Sequence, residues 1–467
     1  MVEARQQQSR SQVGGTAAHP GRFRALLGLS LGYFMVLLDT TVLSVAEPDI
    51  AQSLGASVGG LQWVVNGYTI TLAAFLLSAG AVADRLGAHR VFRYGIAGFG
   101  FLSLLTAFAP SVGLLIALRA LLGVAAALCI PSSMAMITRL YPEPAARSRA
   151  LAAWTAISGV GLASGPIIGG ALVAFAGWRA VFTVNVPIAV VVLVLVTGSR
   201  FAAPMTKRRI DVAAQLLAGV TLALLSGSLI AFGGRDIALA TALGVAAIVV
   251  AAALVVVERR SDSPVFAPQI LRARSVLAGL IAGAAVNFVL TGAIFALPLL
   301  LIQSLNLTPI QIGLFLLPLT IPCALNPLLT GQIVARYGPR PPIIGGLALL
   351  SVGSAVLTVA VADHFPTLLT AMGLAVTGFG VSFTLPALIS AVLSAAPAGT
   401  AGSVGGILNA VRQMGATIGV AVMGALIAAQ QTDAGGTAAM LTAAIIAALG
   451  CCAYVLLTRA RRSGLPG

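Results

Sequence analysis

The chain has 467 residues, of which 59% are hydrophobic and 8% charged, and its formal net charge is +15. A soluble domain carries about 25% charged residues, so a soluble globular protein is excluded. The basic excess does not point to nucleic acid. Of the 27 Lys and Arg residues, 23 fall in the tails and in every second connection between apolar runs, counted with the adjoining helix turns.

Residues 1–23 are polar and are expected to form a disordered tail. They do not read as a signal peptide, because the apolar run behind them is long and lacks a small-residue cleavage site. Fourteen apolar runs then follow, at 24–46, 60–82, 91–109, 113–138, 149–174, 180–198, 211–232, 237–257, 276–302, 310–334, 342–361, 366–393, 402–429 and 437–458. Runs of about 20 residues cross roughly 30 Å of hydrocarbon as helix. Lipid offers backbone amides no partners, so such runs must be helical, and they lack the polar/apolar alternation of a barrel. The sequence therefore predicts an all-α polytopic membrane protein. Two basic residues, Arg179 and Arg235, lie in the connections of the other side, and Arg119 and Arg412 lie inside spans. This asymmetry places both termini in the cytoplasm.

The first span ends in "LLDTTVLSVAEPDI" and carries Asp39, Glu47 and Asp49. Asp39 lies about nine residues from the outer end of its span and Arg119 about seven from the outer end of the fourth, so their depths agree within about 3 Å. A lone charge at mid-bilayer costs roughly 2.5–3.5 kcal/mol on insertion scales. Opposite charges at one depth reduce that cost by pairing, either as a fixed structural pair or as a site that takes and releases protons. Glu47 and Asp49 fall about 12 and 15 Å further along the helix. There they read as a solvated rim, or as an acidic vestibule for protons or cargo. In the second span Trp63 is an interface anchor or a cavity residue, and Asn66 a candidate cavity polar, as are Asn287 and Asn409. Gly161, Gly165 and Gly169 fall four apart on one face of the fifth span, a spacing that lets helices approach closely, and Pro166 should bend it. Arg412, near mid-membrane, is open to three readings: neutralising Asp39, holding substrate, or bonding carbonyls at a bend.

A basic turn repeats. "GAVADRLGAHR" (80–90) follows the second span and "GQIVARYGPR" (331–340) the tenth, aligning Gly80 with Gly331, Arg85 with Arg336 and Gly87 with Gly338. More residues separate the two turns than six spans need, so two spans are inserted between related halves. The expected division is a tail at 1–23, a six-helix bundle at 24–198, linkers with two inserted spans at 199–275, a second bundle at 276–458 and a tail at 459–467. Cys129, Cys323, Cys451 and Cys452 fall in predicted spans without metal-ligand spacing, and His19, His89 and His364 lie outside the spans. No metal is expected. The single lysine, Lys207, lacks the glycines of a phosphate loop, so an ion gradient, not ATP, is the expected energy source.

These motifs, in order and at matching spans, resemble the major facilitator superfamily, and most of all its fourteen-span drug:proton antiporters. "LDTTVLSVAEPDI" resembles the family's first-span motif and "GAVADRLGAHR" its loop motif. "LIALRALLGVAAAL" (115–128) resembles the fourth-span arginine motif, "SGPIIGG" (164–170) the antiporter motif and "NAVRQMGATIGVAVMG" (409–424) the thirteenth span. The resemblance implies a major facilitator fold and proton coupling at Asp39 and Arg119. It implies an antiporter motif of Gly161, Gly165, Pro166, Gly169 and Gly170, and an inner gate loop of Gly80, Asp84, Arg85 and Gly87. Leu122 replaces the family's usual glutamine, Ala88 and His89 its usual basic pair, and Glu47 a usual apolar residue.

The leading expectation is a proton-coupled exporter of a drug, antibiotic or secondary metabolite in the cytoplasmic membrane of a bacterium, working as a monomer without cofactor. Its expected partners are a small-molecule substrate, protons and lipid. The rivals are an importer, which the span-five motif disfavours, and a non-transporting receptor, which lacks a signalling domain. An enzyme is not expected, because no nucleophile–base pair or metal cluster stands out.

Overall fold

The computed structural model describes residues 20–197, 212–261, 273–395, 401–430 and 433–459. The expected tails, apart from residues 20–23 and 459, and most of the two basic linkers lie outside these segments. In chain order the described helices are α1 (Pro20–Leu54), α2 (Val58–Leu86), α3 (Ala88–Ala107), α4 (Val112–Leu140), α5 (Pro144–Ala176) and α6 (Ala180–Val196, broken at Val184). The pair α7 (Val212–Gly233) and α8 (Ile237–Arg260) follows. Then come α9 (Arg274–Leu305), α10 (309–337, in three pieces), α11 (Arg340–Ala362), α12 (Thr367–Ser394), α13 (Ala401–Gln430) and α14 (Asp433–Arg459).

Local chemistry sets several ends. The Ser57 hydroxyl accepts from the Gly60 N–H at 3.1 Å to start α2, and Asp236 caps α8 through the Leu239 N–H at 3.0 Å. Thr308 and Gln311 form a capping box at the start of α10. That segment breaks into Pro309–Phe315, Leu317–Leu325 and Pro327–Tyr337, with a 50° bend between the last two. Pro318, Pro322 and Pro327 each remove a helix donor there.

Among the described residues, ten helices are long and apolar enough to span a membrane, or twelve if each of two bent pairs is one span. Helices α3 and α6 supply the remaining two of the fourteen expected runs, and α6 is short for a span. The all-helical membrane architecture is therefore present, and a count of fourteen stands as an expectation.

The helices pack in two sets with the same internal pattern. In the first set α1 packs on α5 and α6, α2 on α4, and α3 on α4 and α6. In the second, α9 packs on α13 and α14, α10 on α12, and α11 on α12 and α14. The repeated turns match in backbone as well. Gly87 and Gly338 have φ of +93° and +77°, and their N–H groups cap α2 and α10 through the carbonyls of Ala83 and Val334. Such φ values favour glycine. Helix α7 lies against both α2 and α13, while α8 packs on α7. Of its most apolar stretch, α8 buries 11% within the protein and α9 89%, so α9 is central and α8 faces lipid.

The two sets meet along α2–α13 and α5–α10. Gln62 Nε2 donates to the carbonyls of Val420 and Ala421 at 3.0 and 2.8 Å, and the hydroxyls of Thr69 and Thr417 are 2.8 Å apart. Gln62 is one turn from the start of α2, so this contact closes the end of the molecule that holds the 54–58 and 107–112 turns. Phe295, Leu299 and Val420 of the second set join a buried cluster there with Val42, Ala46 and Val64 of the first.

Candidate functional site

Asp39 and Arg119 lie at the centre of the first set. Both are buried, and Arg119 Nη1 donates to Asp39 Oδ2 at 2.5 Å. The other carboxylate oxygen accepts from Asn185 Nδ2 at 3.0 Å, and that amide also donates to the Ser103 hydroxyl at 3.3 Å. Arg119 Nε donates to the Val64 carbonyl at 3.3 Å, and its guanidinium carbon sits 4.4 Å from the Tyr68 ring centroid. Helices α1, α2, α3, α4 and α6 thus converge on one charge pair. A buried pair recovers its desolvation cost only when its remaining donors and acceptors are met, and here most are. Leu122 lies fully buried in the apolar core, and the polar environment of Arg119 comes from other helices. The sequence reading anticipated the two charges at one depth. It did not single out Asn185, Ser103 or Tyr68; the signal for Asn185 was an amide two residues before Pro187, where α6 restarts after its break.

Glu47 departs from the solvated-rim expectation. It is 2% exposed, and its Oε2 has no hydrogen-bond partner among the described residues. The cause is that α1 does not stop at Pro48 but runs on to Leu54, so Glu47 lies within the helix and not at its end. Asp49 is half-buried, and its Oδ2 accepts from the Trp178 N–H at 2.8 Å, holding the turn between α5 and α6.

The span-five glycines sit where a side chain would collide. A Cβ on Gly161 would come within 2.6 Å of the Phe34 carbonyl oxygen, on Gly165 within 2.7 Å of Thr41 Cβ, and on Gly169 within 2.7 Å of the Val42 carbonyl oxygen. All three contacts are to α1, within the first set. A Cβ on Gly170 would come within 2.6 Å of the Pro309 carbonyl oxygen, and one on Gly313 would strike the Pro166 carbonyl oxygen. The same stripe therefore packs α5 on α1 and joins α5 to α10 across the two sets.

Arg412 does not reach Asp39. Its Nε donates to Asn287 Oδ1 at 3.2 Å and its Nη1 to Asn409 Oδ1 at 3.1 Å. These three residues come together on α9 and α13. Asn66 is fully buried, and neither amide atom has a partner among the described residues. Trp63 is half-buried between helices, its ring 3.3 Å from where a Gly227 Cβ would stand, and it packs against the cluster of Ile70, Ala73 and Leu222. It therefore sits in the α2–α7 contact. In the gate loop, a Cβ on Gly80 would find only Pro131, at 3.9 Å. Asp84 is half-buried and Arg85 exposed; no hydrogen bond or ion pair joins Asp84 to another described residue. Among the described residues no group of three or more His, Cys, Asp or Glu could hold a metal ion, and the four cysteines are free.

Two helix sets of one pattern, a charge pair inside one and a polar cluster between helices of the other define a membrane transporter of the two-bundle kind. Residues 29–420 and 280–466 match the Major Facilitator Superfamily, and the chain belongs to that superfamily. It is 34% identical over 408 residues to "Multidrug resistance protein Stp" of Mycobacterium tuberculosis, covering 86% of this chain and 75% of that protein. It is 32% identical over 444 residues to "Methylenomycin A resistance protein" of Streptomyces coelicolor, covering 94% and 93%. To "Tetracenomycin C resistance and export protein" of Streptomyces glaucescens it is 32% identical over 413 residues, covering 87% and 76%. A bacterial homologue of the human lysosomal transporter Spinster, inward-facing and unoccupied, superposes with a TM-score of 0.68 over 95% of this chain and 98% of that one. At 18% identity, that likeness speaks for the fold.

Proposed function

We propose that this chain exports a drug, antibiotic or related small molecule across the cytoplasmic membrane by alternating access, driven by inward proton flow. The observation that carries the export reading is the near-full-length similarity to resistance proteins from several bacteria. Proton coupling rests on Asp39, a carboxylate buried at mid-span against Arg119. A proton on Asp39 weakens its hold on Arg119, and the freed guanidinium then favours another arrangement of α1 and α4.

The bundles 24–198 and 276–458 are the rocking units in this reading, and the span-five glycines limit leakage between α5 and its neighbours. The basic asymmetry puts both termini and the 86–88 turn in the cytoplasm. The α2–α13 closure then lies on the outer side, so the arrangement is inward-facing. The protein acts as a monomer without a cofactor.

Two measurements test this. Expression in a pump-deficient bacterium, screened with a panel of toxic compounds, should raise resistance to at least one class. Proteoliposomes with an imposed pH gradient should then accumulate that compound, and accumulation indifferent to the gradient would refute proton coupling.

A further inference from the structure

The residues around Arg412 form a second site that the charge pair does not explain. Tyr33 of α1 stacks on Trp154 of α5 with ring centroids 4.4 Å apart and planes 15° from parallel. Tyr33 lies within electrostatic reach of Arg412. Trp154 is 7% exposed, and its indole N–H has no acceptor among the described residues. Arg412 and Tyr33 are half-buried, so both keep open surface. The aromatic pair belongs to one helix set and the arginine to the other, so the site lies between the parts expected to move.

Its chemistry has a sign. Among the described residues Arg412 gives two of its five N–H donors, one to Asn287 and one to Asn409. Both amides spend their oxygens on the arginine, leaving their N–H groups to donate. The indole N–H is a further donor. Among the described residues no carboxylate lies within ion-pair distance of Arg412. Asp39 is six residues, about 9 Å, along α1 from Tyr33, and it is already paired with Arg119. Glu47 is about 21 Å along the same helix.

We propose that Tyr33, Trp154, Arg412, Asn287 and Asn409 form a cargo subsite for planar aromatic compounds that carry an acidic or acceptor-rich oxygen. The ring stacks on the Tyr33–Trp154 pair, the oxygen accepts from Arg412 and the amides, and the indole N–H takes a second acceptor. Planar cations are disfavoured, because binding would set their charge beside an uncompensated guanidinium. The proposal rests on the export reading above and narrows it to a substrate class.

The test uses the full chain in lipid nanodiscs with two flat fluorescent probes, 3-hydroxy-2-naphthoate and ethidium. Wild type should bind naphthoate at least about tenfold more tightly than ethidium, the scale of one charge-assisted hydrogen bond. Arg412→Gln should weaken naphthoate at least about tenfold and leave ethidium unchanged or tighter. Tyr33→Leu, which leaves the charge in place, should also weaken naphthoate by about tenfold through loss of stacking. Ethidium binding as tight as naphthoate in wild type, or naphthoate affinity unchanged in both variants, would overturn the subsite. A parallel proteoliposome assay separates the two readings. Naphthoate bound but never moved uphill would sink export and spare the subsite; export of cations without naphthoate binding would do the reverse.

Discussion

The Asp39–Arg119 contact is a pair in which each member makes the other tolerable. Neutralising Asp39 alone relieves the cost of an anion in lipid but strands Arg119, which is 1% exposed. Breaking a buried pair on one side costs about 3–5 kcal/mol, so Asp39→Asn is expected to lower the melting temperature clearly. Adding Arg119→Gln should recover most of that loss, because two neutral amides can bond where two charges did. Neither protein should carry out pH-driven export. Thermal melts and transport of the two variants beside wild type check both halves. A double variant no more stable than Asp39→Asn would mean that the ion pair is not the source of the cost.

Glu47 gives a contrasting case. One of its oxygens is buried without a partner among the described residues, and an unsatisfied buried polar group costs about 1–3 kcal/mol. Glu47→Gln should therefore melt no lower than wild type, and a clear drop in a melting scan would show that the carboxyl has an acceptor or donor it depends on. The two acids also differ in legibility. Asp39 and Arg119 stand out because lone charges in apolar runs demand partners. Glu47 reads as a rim residue because the apolar run ends at residue 46, whereas α1 continues through Pro48 to Leu54. Asn185, Tyr33 and Trp154 did not stand out because one amide or aromatic in an apolar run has the pattern of ordinary packing.

At the scale of elements, the decisive contacts are backbone to backbone. On α5, even a methyl group at Gly165 would come within 2.7 Å of Thr41 Cβ, and overpacking of this kind costs about 1–3 kcal/mol. Gly165→Ala should reduce both thermal stability and export, and Gly165→Leu should abolish export. Gly98 is the control: a Cβ there would find nothing nearer than Ala125 Cβ at 4.0 Å. Gly98→Ala should match or slightly exceed wild-type stability, by up to about 1 kcal/mol, since alanine is the better helix former. Equal behaviour of Gly165→Ala and Gly98→Ala in melting and resistance assays would show that the α1–α5 approach is not tight. The four-residue spacing of the glycines was readable from sequence; that the partner is α1 was not, because the contacting atoms on α1 include main-chain oxygens. The apolar run of α10 reads as one span, and Pro318, Pro322 and Pro327 break it into three pieces. The placement of α7 beside α2 and α13 was hidden for a similar reason, since Gly59, Gly219, Gly227 and Gly233 form that contact with small and apolar neighbours.

For the whole molecule, the question is whether the α2–α13 closure is a fixed joint or a gate. The internal repeat was legible, because a positive-φ glycine must recur wherever the same turn recurs, as at Gly87 and Gly338. The seam was not, because Gln62 is held by the carbonyls of Val420 and Ala421 and those leave no mark in the side-chain pattern. Thr69 and Thr417 offer a direct test. Their hydroxyls are 2.8 Å apart and both residues are buried, so a cysteine pair there brings its two thiols within reach of each other. The four native cysteines are free thiols, so they are first replaced by alanine or serine. Oxidising Thr69→Cys/Thr417→Cys should staple the two helix sets at the closed end. In a rigid scaffold, transport would be indifferent to the staple. In an alternating-access cycle this end must open once per turnover, so the oxidised protein should still bind cargo but stop moving it. A reducing agent should restore transport to the level of the unstapled double variant. The measurement is uptake into proteoliposomes before oxidation, after it and after reduction, with the cross-linked fraction read on a gel. Full transport at quantitative cross-linking would mean that the α2–α13 seam stays shut throughout the cycle and that cargo leaves by another route.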